Sequence, residues 1–534
     1  MRTDENEAGE PPVSDDRSTW APDRSAGVDD GAPHPPVEAH RADRHRKRPW
    51  WGHPVVVVLA ITAFAGGLRF YQVSYPRQFV FDEVYYAKDG CYDAGIPYRD
   101  CQLKTPGEQT VTVHPPLGRW IIAGGIRLAG GQPSDFHCTP DAVGGAATCN
   151  PFPFRVASAT FGTLSVTLLT ILAYLMFSSS LWAFIAGLLL ATENLNFVQS
   201  RISMLDIFVA TFVVAGFLFL VLDRRWIERR TPPRPVLTPE EQRESLLLDL
   251  PPDRAPSPLF RPWRLAAGIG FGAAMATKWS GATALIGAVI LALAWERTRR
   301  SKLGLRHPFR EALRDELFGI VVFMALVPMA VYVASYLGWF AQHDWNLSAW
   351  WKLQQQMATF SLTLRSPHPY ASPPWAWPLM ARPVAYYYQC VTTVGGTCTR
   401  SAEILGMGSP AIFWGSLFAL PYALYAWIRR RDWRPGLIVV AFVSQWVPWF
   451  AAHRTSFLFY MTPITPFMVL AVTYGLRDLA EIRVGEDRAK ALMPIVALCT
   501  TVCVIVFIFF LPILTGRIIS EGQRVARMWF RSWT

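Results

Sequence analysis

The sequence predicts an all-α integral membrane protein with about eleven transmembrane helices, each near the length that a bilayer core requires. Three observations predict this fold class. Hydrophobic residues make up 51% of the 534 residues and charged residues only 17%, below the quarter that is typical of soluble proteins. Apolar runs long enough to cross a bilayer recur along the chain. Basic residues cluster in the segments between these runs, as they do where charge sets the orientation of a membrane protein.

The chain divides into two tails and a membrane domain. Residues 1–49 are rich in Pro, Asp, Arg and Ala and are expected to form a disordered cytoplasmic tail. Residues 50–515 are expected to form a multi-pass transmembrane domain, and residues 516–534 a C-terminal tail. The apolar runs of the domain cover residues 54–71, 152–177, 180–198, 203–222, 264–278, 281–295, 315–340, 410–428, 436–452, 456–478 and 492–515.

Charge predicts the orientation of these runs. Basic residues precede the first run, so the N-terminus is expected in the cytoplasm. Alternation then places the Pro- and Arg-rich loop 223–263 inside, and the long loops 74–151 and 341–408 outside. One conflict arises, because the C-terminal tail is also basic but emerges on the outer side.

The cysteines agree with this map. Six of the eight lie in the two outer loops as three close pairs, on the side where disulfides persist. Free thiols are a less favoured alternative, and a metal site is less favoured still because no pair has CxxC spacing. The disulfide candidates are Cys91, Cys101, Cys138, Cys149, Cys390 and Cys398.

The acidic pair Asp82–Glu83 follows the first run by about ten residues, at the predicted outer surface. Repulsion between adjacent carboxylates is expected to raise the pKa of one of them. A carboxylate with a raised pKa suits a general base that works near neutral pH. The alternative is a solvated acidic pair at the start of a helix, where the helix dipole favours negative charge.

Cationic residues lie at the predicted outer ends of other runs. Arg155, Arg201 and Lys278 suit the binding of a lipid phosphate and of the charge that develops as it departs. The alternative is that they extend to lipid headgroups. The segment 117–128 has helical spacing and could lie in the membrane interface. Further candidates for a polar groove are His114, Asp206, His368, Tyr370 and Gln355.

In their order, these motifs resemble the protein O-mannosyltransferase family, in its bacterial branch. They are Asp82–Glu83, His-Pro-Pro-Leu-Gly at 114–118, Phe154–Arg155, Arg-Ile-Ser-Met-Leu-Asp at 201–206, Thr-Lys-Trp-Ser-Gly at 277–281, and the Pro-, Trp- and His-rich stretch 368–378. The resemblance covers roughly residues 50–515. Each motif is short, and it is their order and their placement relative to the apolar runs that is specific.

The resemblance implies a lipid-dependent glycosyltransferase fold (GT-C type) with its active site at the outer face of the cell membrane. The donor would be polyprenyl phosphate mannose, and the acceptors Ser or Thr of secreted polypeptides emerging from the translocon. Asp82 would be the base of an inverting transfer, and Glu83 would orient the acceptor or tune Asp82. No metal or other cofactor is expected. The loop 341–408 is too short for the β-trefoil insert of eukaryotic members.

Two alternatives stay open. The same fold could transfer another sugar, such as arabinose or aminoarabinose, from a polyprenyl phosphate to a glycan or lipid. A flippase or transporter is less favoured, because the ionisable residues and the long loops gather at one membrane face, whereas transporters place their sites near the midplane. A nucleic-acid partner is not expected, since no basic patch with interleaved aromatic residues is present.

Overall fold

A computed structural model of the chain describes residues 52–104, 113–138, 149–230, 260–302, 307–481 and 492–533. Helices dominate these residues. The first half contains α1 Pro54–Phe70, α2 Glu83–Asp93, α3 Leu117–Leu128, α4 Phe152–Phe177, α5 Ser180–Ala191, α6 Asn194–Gln199 and α7 Asp206–Arg230. The second half contains α8 Pro262–Thr277, α9 Gly281–Lys302, α10 Pro308–Val321, α11 Val327–Ala334, α12 Leu337–Gln342, α13 Leu347–Thr363, α14 Pro410–Arg430, α15 Trp433–Trp446, α16 Thr465–Glu481, α17 Met493–Leu514 and α18 Glu521–Val525.

Helices occupy each of the eleven predicted apolar runs. Among the described residues, six helices are long and apolar enough to cross a membrane, and α1 and α5 are shorter apolar helices. A π-helical turn, Val322–Leu326, joins α10 to α11, so that Pro308–Ala334 forms one long apolar helix. The protein is therefore a multi-helix membrane protein, while the number of crossings stays a prediction. The tail 1–49 lies outside the described residues.

Some predicted boundaries were wrong. The run 180–198 is two helices, because Glu193 adopts an extended backbone and its side chain accepts the backbone N–H of Asn196 at 2.7 Å. The helix predicted over 203–222 begins at Asp206 and continues to Arg230, eight residues into the loop expected to start at 223. Residues 231–259 of that loop lie outside the described residues.

Small residues allow the helices to approach closely. At Gly268 on α8, a Cβ atom would lie 2.0 Å from the carbonyl oxygen of Phe323 in the π turn. At Gly162 on α4, a Cβ would lie 2.1 Å from the Ser200 hydroxyl. Such contacts are typical of helix packing in membranes. The Gly162 contact brings α4 against the segment between α6 and α7, which carries the candidate residue Arg201.

The second predicted outer loop contains a β-hairpin that the sequence reasoning missed. Strands β1 Val384–Val394 and β2 Thr397–Gly406 pair antiparallel. Gly395 and Gly396 turn between them with φ of +58° and +79°, values that favour glycine and suit a two-residue hairpin turn. The all-α prediction thus holds for the membrane domain but omits this small sheet.

The C-terminal tail packs against that same loop. Its short strand β3, Ile519–Ser520, pairs antiparallel with β2. The Trp533 indole N–H donates to the carbonyl of Met380 at 2.7 Å, and Arg524 forms an ion pair with Glu403. The tail and the loop 341–408 therefore lie on one side of the helix bundle, and Arg524 of the tail belongs to this folded contact. The side of the membrane on which they lie stays a prediction.

Disulfides join the three close cysteine pairs, Cys91–Cys101, Cys138–Cys149 and Cys390–Cys398. The first links the end of α2 to the chain that follows it. The second ties the end of the first outer loop together before α4 begins. Cys499 and Cys503, within α17, are free.

Candidate active site

A cavity of about 350 Å³ opens where the starts of α2 and α7, the end of α8 and the loop before α16 converge. It gathers five of the residues singled out in the sequence, although they come from segments up to 286 positions apart. These five are Asp82, His114, Asp206, Lys278 and His368. Arg454 and an aromatic set formed by Phe81, Tyr85, Tyr86, Phe457, Phe459 and Tyr460 complete most of the wall.

Asp82 occupies the N-cap position of α2, yet its side chain makes no capping hydrogen bond. The residue before it, Phe81, has a φ of +52°, a strained conformation that is uncommon for a bulky residue and tends to cluster at functional sites. Burial raises the pKa of Asp82 to about 6; the positive charge of Lys278 opposes this rise and the negative charge of Asp206 adds to it. A carboxylate with this pKa is mostly ionised at pH 7 and can still accept a proton.

Lys278 and Asp206 form an ion pair across the cavity. The Lys278 ammonium lies 2.8 Å from Oδ1 of Asp206 and 4.6 Å from the ring centre of Tyr460. The lysine follows the last residue of α8 in an extended conformation, and the aspartate is the first residue of α7. Both side chains are nearly buried. The positive charge is thus held next to Asp82 by the ends of two helices.

Arg454 is the functional candidate that sequence reasoning missed. It lies in the loop between α15 and α16, and within the described part of the chain its guanidinium makes only long contacts, at 3.4 Å, with the Tyr460 hydroxyl and the Thr455 carbonyl. A signal was present in the sequence, because an arginine follows the run 436–452 on the predicted outer side, where basic residues are less common.

The two histidines occupy different depths. His114 lies beside the Tyr86 ring, with 6.1 Å between ring centres. Burial lowers the pKa of His114 well below its usual value, and Lys278 and Arg454 lower it further, so its imidazole is neutral. His368 lies at the exposed rim, and its ring meets the Phe457 ring edge-to-face with 5.0 Å between ring centres. Both can offer hydrogen bonds to a polar ligand.

The structure corrects the role expected for Glu83 and Arg155. Glu83 is fully buried and accepts four hydrogen bonds, from the backbone N–H groups of Val80 and Ser203 and twice from Arg155 at 2.8 Å. The remaining donors of Arg155 go to backbone carbonyls of Val73, Pro76 and Gln78. All five N–H groups of Arg155 thus have protein partners, so none is directed at a ligand. The pair fixes the backbone that carries Asp82.

Arg201 also lies away from the Asp82 cavity, contrary to expectation. Its guanidinium donates to the carbonyls of Leu68, Arg69, Tyr71 and Gln72, at the C-terminal end of α1. A helix C-terminus presents unpaired carbonyls and a partial negative charge, which explains how a nearly buried arginine is held without a carboxylate. Arg201 lines a different cavity, described below.

Tyr370 and Gln355 are also outside the Asp82 cavity. The Tyr370 ring lies under the guanidinium of Arg382 at 5.3 Å and near His368. Gln355 faces a shallow depression along α13, together with Lys352 and Thr359. The helix predicted over 350–360 is present, as α13, and it contributes Phe360 to the Asp82 cavity. Among the described residues, no three His, Cys, Asp or Glu side chains are grouped to hold a metal ion.

Comparison with known proteins identifies the family. Residues 59–232 match the family described as dolichyl-phosphate-mannose-protein mannosyltransferase, and residues 346–533 match the C-terminal four-transmembrane region of protein-O-mannosyltransferase. The chain is 30% identical to the polyprenol-phosphate-mannose–protein mannosyltransferase of Mycolicibacterium smegmatis (strain MKD8), over 89% of this chain and 92% of that protein. It is 28% identical to the protein of that name in Mycobacterium tuberculosis (strain CDC 1551 / Oshkosh), over 85% and 86%.

The fold agrees with this family. The Saccharomyces cerevisiae protein O-mannosyltransferase Pmt1–Pmt2 complex, solved with its sugar donor bound, superposes with a TM-score of 0.70 at 14% identity. The superposition covers 93% of this chain and 94% of that one. The fold is thus that of the GT-C membrane glycosyltransferases, as the motif order indicated. This chain belongs to the protein O-mannosyltransferase family.

Proposed function

We propose that this protein transfers mannose from polyprenyl phosphate mannose to Ser or Thr hydroxyls of secreted polypeptides, at the outer face of the cell membrane. The observation that carries the proposal is one cavity lined by a carboxylate with a pKa of about 6 and by two cations, Lys278 and Arg454. The curated relatives bear names that specify this donor and a protein acceptor.

Asp82 acts as the general base in this proposal. Its carboxylate takes the proton of the acceptor hydroxyl while that oxygen forms a bond to the anomeric carbon of mannose. The bond from the anomeric carbon to the phosphate oxygen breaks, and polyprenyl phosphate departs with the electron pair. Attack from the side opposite the phosphate inverts the anomeric centre. A base with a pKa close to the working pH is the most effective for such a step.

Lys278 and Arg454 stabilise the departing phosphate. Preorganised cations in a partly dehydrated site stabilise charge that develops in a transition state more strongly than water does. Arg454 has few competing contacts, and its planar guanidinium matches a phosphate with two N–H groups. Lys278 is held near the same space by Asp206. We therefore assign the donor phosphate to the Arg454 side of the cavity.

Neutral His114 and the aromatic wall would contact the sugar. An uncharged imidazole donates one hydrogen bond and accepts another, which suits the hydroxyls of mannose. Aromatic faces such as Tyr85 and Phe457 pack well against the apolar face of a sugar ring. His368, at the rim, would meet the acceptor or the outer side of the sugar.

We also propose that transfer needs no metal ion, since two cationic side chains are available where the phosphate charge develops. Full turnover in the presence of a strong chelator supports this part of the proposal. Loss of turnover that only added Mg²⁺ or Mn²⁺ restores contradicts it.

The site would face outward and act on chains that are still unfolded. The loop with the Asp82 cavity also carries two disulfides, which form in oxidising compartments. A cavity of this size admits one extended segment of polypeptide rather than a folded domain, so coupling to the secretion translocon is part of the proposal. Equal labelling of an acceptor with and without its secretion signal contradicts that coupling.

The reaction is tested with radiolabelled mannose on polyprenyl phosphate and a Ser/Thr-rich peptide, in membranes that contain the wild-type chain, Asp82→Asn or the control Asp344→Asn. Asp344 is an exposed carboxylate on the same face. We expect label from wild type and control, and a loss of about 10²- to 10⁴-fold for Asp82→Asn, the usual cost of removing a general base.

Two outcomes contradict the proposal. Transfer by Asp82→Asn at the wild-type rate removes Asp82 as the base. No transfer by intact wild-type protein with mannose, but transfer with polyprenyl phosphate arabinose or aminoarabinose, reassigns the sugar while keeping the site.

A further inference from the structure

A second cavity, of about 960 Å³, lies between the C-terminal ends of α1 and α17 and beside Arg201. It has no lining residue in common with the Asp82 cavity. Both cavities lie at the same end of the bundle, since Arg201 lines one and Asp206, at the start of α7, lines the other. The transfer reaction proposed above leaves this second cavity without a role.

The polar part of this cavity is cationic. Arg77, Arg201 and Arg517 line it, and its lining includes no Asp or Glu. Arg201 is tied to the carbonyls at the end of α1. The side chains of Arg77 and Arg517 are exposed, and neither makes a hydrogen bond or ion pair with another described residue. Three guanidinium groups without a carboxylate are an arrangement that attracts an anion.

The other part of the cavity is apolar and continues onto the lipid-facing surface. Leu68 of α1 and Ile508 and Leu511 of α17 form this wall. The apolar window of α17 is only 22% buried within the protein, and Ile508 is 58% exposed. Tyr71 and Tyr75 lie at its edge, where aromatic residues are enriched at membrane interfaces. A ligand of this cavity therefore has a charged end and a hydrocarbon end.

We propose that this cavity binds an anionic phospholipid of the outer leaflet. The phosphate lies between Arg77 and Arg517, with Arg201 behind it, and the acyl chains follow α17 past Leu511 and Ile508. A soluble phosphate would leave the apolar wall unused. The sugar donor does not fit the assignment, because its reacting carbon must reach Asp82 in the other cavity.

The arginines provide the first test. Purified protein is placed in nanodiscs of phosphatidylcholine with a minority of phosphatidylglycerol, and bound lipids are counted by native mass spectrometry after release into detergent. Arg77→Gln/Arg517→Gln is compared with wild type and with Arg310→Gln/Arg400→Gln, which removes equal charge from exposed positions elsewhere. We expect retained phosphatidylglycerol to fall about fivefold per arginine in the first variant, the effect of one cation on an anionic headgroup, and to stay unchanged in the second.

Gly67 offers a test that leaves every charge in place. It lines the cavity, and a Cβ atom there would meet no atom within 4 Å, so Gly67→Leu narrows the apolar half without a clash at its first atom. Gly124, a helical glycine with the same open space on α3, provides the control Gly124→Leu. We expect lower phosphatidylglycerol retention in Gly67→Leu only.

Three results overturn the proposal. If the wild-type protein retains phosphatidylcholine to the same extent as phosphatidylglycerol, the cavity does not select an anionic headgroup. An equal loss of phosphatidylglycerol from both double-arginine variants indicates that retention depends on the overall surface charge rather than on this cavity. Displacement of phosphatidylglycerol by one equivalent of polyprenyl phosphate makes the cavity a site for the donor lipid instead.

Discussion

Asp82 and Glu83 are neighbours in the sequence with opposite environments. Glu83 points into the protein, where two backbone N–H groups and Arg155 satisfy its carboxylate. Asp82 lines the cavity without a capping hydrogen bond. The sequence correctly predicted a carboxylate with a raised pKa, but it gave the wrong cause. Burial raises the pKa of Asp82, and Asp206 rather than Glu83 adds to it.

The charges around Asp82 predict a pH profile. Because the base must be ionised, kcat/KM should fall as pH drops through about 6, and this limb reports the free enzyme. Asp206→Asn removes a negative charge that raises the pKa of Asp82. It also frees Lys278 from its ion pair, and the positive charge of Lys278 lowers the pKa of Asp82. The acid limb should therefore move to lower pH. Lys278→Met should move it to higher pH. Measured profiles for wild type, both variants and Asp344→Asn test these directions.

An acid limb at the same pH in all four proteins would show that Asp82 does not control the profile. Stability supplies an independent check of the sign. The raised pKa means that the folded state favours protonated Asp82, so ionisation of Asp82 lowers the free energy of unfolding as pH rises from near 3.8 through about 6. Asp82→Asn should therefore be no less stable than wild type at pH 7.

At the scale of the elements, the Glu83–Arg155 pair joins the start of α2 to the start of α4 and to the segment before α7. Glu83 accepts from Ser203 in that segment, and Arg155 donates to three carbonyls in the turn after α1. Four parts of the chain thus meet at one buried ion pair, directly behind Asp82.

Breaking this pair should unfold the site rather than only slow the reaction. Removing one partner of a buried ion pair typically costs about 3–5 kcal/mol because the other charge stays buried and unpaired. Glu83→Gln and Arg155→Met should lower the unfolding temperature measured by tryptophan fluorescence in detergent, while Asp82→Asn should not. Unchanged unfolding of Glu83→Gln together with lost turnover would instead place Glu83 in the chemistry.

The β-hairpin shows which elements the sequence reasoning lost. Val394-Gly395-Gly396-Thr397 is a two-glycine turn between segments rich in β-branched and aromatic residues, which is a recognised hairpin signal. The pairing of β3 with β2 had no such local signal, since two residues near the C-terminus do not form a recognisable strand.

At the scale of the whole molecule, the contact between tail and hairpin predicts the topology of the chain. With Cys499 and Cys503 replaced by alanine, Leu347→Cys and Gly522→Cys should react with a membrane-impermeant maleimide in intact cells. Arg310→Cys should react only after lysis, because it lies beyond the basic end of α9. All three positions are exposed. Labelling of Leu347→Cys from outside, with Gly522→Cys protected until lysis, contradicts the packing of the tail on the second outer loop.

The sequence by itself determined the membrane domain, the places of its apolar helical runs and the family. Hydrophobicity and charge are local properties of the chain, and they determine directly which segments enter a bilayer and how these segments are oriented. It also named Lys278 and Asp206, because ionisable residues at the ends of apolar runs are costly without a purpose, and it named Asp82, His114 and His368 from motifs within the outer loops. Only the tertiary structure decided which cations share the cavity with Asp82. The guanidinium groups of Arg155 and Arg201 donate their hydrogen bonds to carboxylate and carbonyl groups of distant segments. Arg454, beside Tyr460, makes only long contacts with other described residues and can bind a ligand. The role of an arginine depends on the partners that surround it in space, and those partners are set by helix packing rather than by neighbouring residues in the chain.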